Sequence, residues 1–213
     1  LTSKLVITIC FIYIIYVLAF TGKIFSGRSY RLSGAAFIAL IIAVVLISNN
    51  PLKKRIMQEV NGGITFIRED KFNPGDYFTG VQFRLISWRF VYEILNEKRR
   101  WLLGVSIGDS QDVLDEKYKD ENMFTGGSSG NKKGYIGYHT HNQFLQALLE
   151  TGILGLLSIM ITCAGLIRLG LKSKNASFIV LVFLLLCNCF TDAPLKTQYG
   201  IILFVFFPLF MYK

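Results

Sequence analysis

Two pairs of residues in this 213-residue chain could do chemistry: His141-Asn142, at the head of a long apolar run, and Arg84 with Trp88 four residues on. An imidazole is the side chain whose ordinary pKa lets it accept or release a proton near neutral pH. A guanidinium presents a planar fork of donors that fits phosphate or carboxylate. The first pair therefore offers a base, the second an anion holder.

Local pattern sharpens both. Thr140-x-x-Gln143 is a capping-box pattern, which predicts Thr140 as N-cap and puts His141 and Asn142 in the first helical turn. Free backbone N–H groups and the positive end of the helix dipole resist protonation of an imidazole there, leaving it able to accept a proton from a hydroxyl. The plainer alternative is a histidine that only hydrogen-bonds at an interface. Downstream, Ala147, Gly152, Gly155 and Ser158 are small residues that predict a close helix-packing face. Glu150 would lie ~13 Å along the axis from His141, so a buried partner is expected for it rather than direct chemistry.

Arg84 has no acid three or four residues away on either side, so either an external anion or an acid from a distant segment is its expected partner. Arg89 and Glu93 read as a surface ion pair. Trp88 lies within reach of the Arg84 guanidinium. His139-x-His141 has the look of a metal pair, but such a site needs three or four ligands. No cysteine and no further histidine lies outside the apolar runs, so neither metal nor cofactor is expected.

The elements that must position these groups are apolar helices. Hydrophobic residues make up 52% of the chain and charged residues 17%. Apolar runs occupy Leu5–Phe20, Leu32–Ser48, Phe144–Ile167, Phe178–Phe190 and Tyr199–Met211. They predict an all-α, polytopic membrane helix bundle of about five spanning helices with a roughly 90-residue external segment. The expected organisation is two spans in 1–48, a loop domain in 49–141 and three spans in 142–213. The chain opens on Leu1, and it is expected to be the C-terminal part of a longer protein. The four cysteines all fall within apolar runs and read as small packing residues.

The net charge of +9 is unevenly placed. Lys23, Arg28 and Arg31, and then Arg168, Lys172 and Lys174, sit in short connections, which the positive-inside rule assigns to the cytoplasm. The long segment and the Thr191–Gln198 turn then lie outside. A basic chain split between two sides of a membrane is not a nucleic-acid binder. Lys53, Lys54 and Arg55 are expected to meet lipid head groups. Phe83, Ile86, Phe90, Ile94 and Leu95 form one helical stripe, whereas the acidic and Gly/Ser-rich tract from Asp109 to Gly134 reads as flexible, a lid over substrate.

His141-Asn142-x9-Gly152-x2-Gly155 resembles the signature of bacterial O-antigen ligases and the related O-antigen and exopolysaccharide polymerases. Arg84-x3-Trp88 and Trp101-Leu-Leu-Gly-Val-Ser-Ile-Gly108 resemble that family's R-x3-W helix and its PLLGxGxG turn, with Trp101 in place of proline and Ser106 in place of glycine. Leu1-Thr-Ser-Lys4 resembles its TxSR, with Leu1 for threonine and Lys4 for arginine. The resemblance implies a metal-independent, inverting glycosyltransferase of the bacterial inner membrane with its site facing the periplasm. Its donor would be an undecaprenyl-diphosphate-linked glycan. Its acceptor would be lipid A-core for a ligase, or another lipid-linked repeat unit for a polymerase. His141 would be the base, and Arg84, helped by Lys4, would hold the diphosphate. Asn142 would orient the histidine or bind sugar, and Trp88 would contribute to the substrate site. A transporter or flippase segment is the competing class, but transporters place their sites near the bilayer midplane.

Overall fold

Contacts divide the chain into two compact units, the second of which runs from Ile64 to the C-terminus. The computed structural model describes residues 65–126, 134–173 and 175–211, all within that second unit. Lys4, the Lys53–Arg55 cluster and the first two predicted spans lie outside the described residues.

Five α-helices and two short 3-10 turns, at Thr65–Arg68 and Pro194–Lys196, make up the described fold. The helices are α1 (Gly80–Glu97), α2 (Ser110–Asp120), α3 (Gln143–Ser173), α4 (Ala176–Thr191) and α5 (Gln198–Met211). No strand occurs among the described residues.

Helix α1 starts with a formed capping box: Gln82 N–H donates to Thr79 Oγ1, and Thr79 N–H donates to Gln82 Oε1 at 2.8 Å. Its predicted stripe is the heart of the first core, with Phe83, Ile86, Phe90, Ile94 and Leu95 all buried. The acidic segment after residue 109, expected to be flexible, is instead helix α2. Its Leu114 and Tyr118, four apart, go into the same core, and that burial decides the conformation. Lys117 fixes α2 to α1, reaching Glu93, Glu97 and Glu121 at 3.0–3.1 Å. Burial alone would lower the Lys117 pKa, but its three carboxylate partners hold it above the usual lysine range. The Gly/Ser-rich stretch 127–133 lies outside the described residues.

Helix α3 is two helices joined at a break. Gly152 has φ +69° and ψ −158°, which no helical residue adopts. Before the break, Leu148 and Leu149 join the first core, with Leu149 fully buried beside the α1 residues, while Phe144 packs toward α4. Residues 153–173 rise about 31 Å, close to the hydrocarbon thickness of a bilayer. Apolar side chains on this part face outward, Ile161 and Leu171 each 71% exposed. A second core, with Leu166 from α3, Phe178, Val182, Leu185 and Cys189 from α4 and Phe204 from α5, joins the apolar helices.

Among the described residues, α3 is the one helix long and apolar enough to cross a membrane; α4 and α5 are apolar but have 16 and 14 residues. The membrane bundle of five spans is thus met in part. At 1.5 Å per residue the last two helices rise only about 24 and 21 Å.

Candidate active site

The break in α3 is where two stretches of sequence lock together. In an unbroken helix Ile153 N–H would donate to Leu149 C=O; here it donates to Trp101 C=O at 2.8 Å. The carbonyls it leaves are taken by the 101–108 loop, Val105 N–H donating to Leu149 C=O at 2.8 Å and Ser106 N–H to Glu150 C=O at 3.0 Å. The contact is too close for side chains. A Cβ on Gly152 would sit 2.3 Å from Leu102 C, and one on Gly104 2.5 Å from Glu150 C. Gly152 therefore meets a loop rather than a second helix. Gly155, within α3, faces the Thr151 side chain.

Just before α3 the chain is folded tightly. Asn142 is the residue that caps it, Oδ1 accepting from Phe144 N–H at 3.0 Å and Leu145 N–H at 3.1 Å. The cap expected at Thr140 is therefore displaced by two residues. Thr140 Oγ1 turns instead to Gln146 Oε1 and Asn142 C=O, both at 3.0 Å, and Gln143 Oε1 accepts from Leu195 N–H. The same Thr-x-x-Gln pattern thus makes a box at Thr79 and none at Thr140, because asparagine is the stronger cap and the second glutamine has another partner.

His141 consequently precedes the helix, in the left-handed region with φ +49°, a conformation that non-glycine residues hold only when their surroundings impose it. Its N–H donates to His139 Nδ1 at 3.0 Å. That bond leaves His139 Nδ1 unprotonated, so the proton of the neutral ring is on Nε2, which lies 3.3 Å from Asp192 Oδ1. His141 Nδ1 lies 3.4 Å from the same oxygen. An ionised carboxylate only accepts, so Nδ1 of His141 carries a proton, and in the neutral ring the lone pair is the one on Nε2.

His139 is held neutral, its pKa lowered to about 4 first by burial and then by His141. Burial alone would raise the pKa of Asp192, but the hydrogen bonds from His141 and from Ala193 N–H bring it down to about 2. The rings of Phe83 and Tyr138 stand 6.2 and 6.0 Å from that of His141.

Asp192 reaches this cluster because α3 and α4 are antiparallel and the turn between α4 and α5 returns to the α3 N-terminus. Three contacts hold that turn. Leu195 N–H bonds to Gln143 at 2.8 Å, Lys196 Nζ lies 3.7 Å from Glu150, and Arg84 Nη2 donates to Thr191 C=O at 3.2 Å. Glu150 has the partners expected for a buried acid, Gln146 Nε2 at 2.7 Å and Ser110 Oγ at 3.3 Å. Trp88 Nε1 donates to Thr140 C=O at 3.0 Å, so of two α1 residues one helical turn apart, Trp88 holds the His141 segment and Arg84 the residue before Asp192. Arg89 pairs with Glu93 at 3.0 Å, as its spacing predicts.

The structure thus brings His141, Asn142, Arg84 and Trp88 together and adds Asp192 and His139. Gly152 and Gly155 stand apart, at and beyond the break. Asp192 is the residue that sequence reasoning missed. Its one signal was being, with Glu150, one of two acids outside the long segment. His139, His141 and Asp192 also place ligand atoms within 4.8 Å of one another, so the third ligand that spacing did not offer is present, although His139 Nδ1 is already taken.

The family model described as O-Antigen ligase matches residues 2–160, a span that includes the α1 residues, the 101–108 loop and the His141 segment. The chain belongs to the O-antigen ligase family. No curated protein matches it. Membership makes it a membrane protein of a glycosyl-transferring family whose substrates are lipid-linked glycans.

Proposed function

We propose that this O-antigen ligase family member transfers a glycan from undecaprenyl diphosphate to an acceptor hydroxyl of lipid A-core, at the periplasmic face of the bacterial inner membrane. The observation that carries the mechanism is the shared carboxylate: Asp192 at His141 Nδ1 leaves Nε2 as the nitrogen that takes a proton. The acceptor hydroxyl gives its proton to that nitrogen as its oxygen forms a bond to the anomeric carbon. The bond from that carbon to the diphosphate breaks on the opposite face, and configuration inverts. Arg84, on the neighbouring α1, holds the diphosphate as charge grows on it. Lys4 assists on the strength of the resemblance. Asn142 serves the base by capping α3 and so fixing the turn that carries it. No metal enters this scheme, because guanidinium and ammonium supply the positive charge. The apolar helices α4 and α5 serve, with α3, as spans of a multi-pass membrane protein.

Lipopolysaccharide gels of a deletion strain carrying the full-length gene or its variants test the reading. Wild type should restore polymer on lipid A-core, and His141→Ala should leave core-only lipid A and accumulated lipid-linked polymer at normal protein levels. Normal surface polysaccharide in that variant overturns the base. A strain that shows core plus one repeat unit replaces the ligase with a polymerase using the same site.

A further inference from the structure

The 101–108 loop carries more than its joint with α3 requires. Leu102, Leu103 and Ile107 are 61%, 60% and 68% exposed, a concentrated apolar display on one short loop. They cannot fold back into the core. The bonds to Leu149 and Glu150 and the glycine contacts at 104 and 152 fix the loop backbone. The same bonds fix its level. Ile153, the first residue of the 153–173 segment, is tied to Trp101, so the exposed leucines stand where that segment begins.

The residues just before the loop have the complementary character. Lys98, Arg99 and Arg100 are all exposed. Lys98 and Arg100 line an open concavity of about 510 Å³ together with residues 103–106, Asp109 and Val113, so two cations oppose one acid there. Trp101 packs edge-on to the exposed ring of Tyr92 at 5.4 Å, an aromatic pair of the kind that gathers at the head-group level. Cations, then aromatics, then aliphatic side chains follow the order of head group, interface and acyl chain.

We propose that this loop is a membrane anchor, with Leu102, Leu103 and Ile107 in the outer acyl region and Lys98 and Arg100 binding the phosphate of an anionic phospholipid. The anchor rests on the reading that residues 153–173 cross the bilayer. It fixes the depth of the break, and through residues 143–151 the height of His141 above the lipid.

The two tryptophans of the chain make the test direct. Trp88→Phe leaves Trp101 as the reporter in purified full-length protein reconstituted in vesicles with brominated lipids. Trp101 should be quenched, more strongly by bromine near the head-group end of the acyl chain than near its tail. In vesicles of mixed phosphatidylglycerol and phosphatidylcholine, bromine on phosphatidylglycerol should quench Trp101 preferentially. Lys98→Gln and Arg100→Gln should each reduce that preference about fivefold. Ile161→Trp in a background without the native tryptophans reports the spanning segment separately. Quenching at position 161 but not at Trp101 overturns the anchor and leaves the membrane reading standing; this is also the result if a second protein chain covers the loop. No quenching at either position overturns both. Equal quenching by the two head groups overturns the phosphate site alone.

Discussion

The joint at Gly152 and the cluster at His141 are held by opposite means. At the joint, backbone meets backbone: three N–H···O=C bonds of 2.8–3.0 Å cross between the loop and α3, with no room for a Cβ. At the cluster, side chains meet at 3.3–3.4 Å around one carboxylate oxygen, and each ring is about a quarter exposed. The joint tolerates no change of shape. The cluster depends instead on where its protons sit, as befits groups that must meet a substrate.

Gly152→Ala is the substitution that breaks the comparison hardest. A Cβ 2.3 Å from the Leu102 backbone, added at φ +69°, forces the joint open, with an expected loss of ~3 kcal/mol or more. Gly155→Ala meets the Thr151 side chain instead: the hydroxyl can rotate at the loss of its bond to Ala147 C=O, but Thr151 Cβ, 2.8 Å away, must shift with the helix, roughly 1–2 kcal/mol in all. Thermal unfolding in detergent should rank the two in that order. Equal midpoints would show that the joint is not what holds the domain to α3.

That ranking was not legible in the sequence. Gly152 and Gly155 share one motif, and small-residue spacing assigned both to helix packing. A left-handed φ at the first glycine depends on a loop some fifty residues earlier in the chain. The α1 stripe, by contrast, was legible down to single residues, because 3.6-residue periodicity is a local property. The same limit applies at the site. His141, Arg84 and Trp88 announce themselves by type and spacing, whereas Asp192 joins them only through the antiparallel return of α4. Helix α2 was hidden for another reason: its surface is acidic, and only Leu114 and Tyr118 show that one face is buried.

The cluster should fail in a different manner from the joint. His141→Ala is expected to lower transfer by ~10²–10⁴-fold, the usual contribution of a general base, with little change in unfolding temperature. Asp192→Asn should cost less, on the order of tenfold, since an amide oxygen can still accept from Nδ1 while the charge is lost. Initial rates with membranes bearing lipid-linked polymer and added lipid A-core measure both. A larger loss in Asp192→Asn than in His141→Ala would make the carboxylate, and not the imidazole, the base.

The smallest effect separates the two histidines. His139 titrates near 4 in the folded protein against an ordinary 6.5. Between those values the unfolded chain binds a proton that the folded chain refuses, so stability falls as pH drops through this window and is full above it. Below about 4 both states carry the proton and this contribution stops changing. With the ring partly open to solvent, the loss is expected to reach about 1 kcal/mol near pH 5. His139→Gln removes the titration and keeps an acceptor for His141 N–H, so its unfolding temperature should depend less on pH between 6.5 and 4 than that of wild type. Parallel profiles would mean that the His139 ring is not held neutral. His141 would then share Asp192 with a charged neighbour rather than a neutral one.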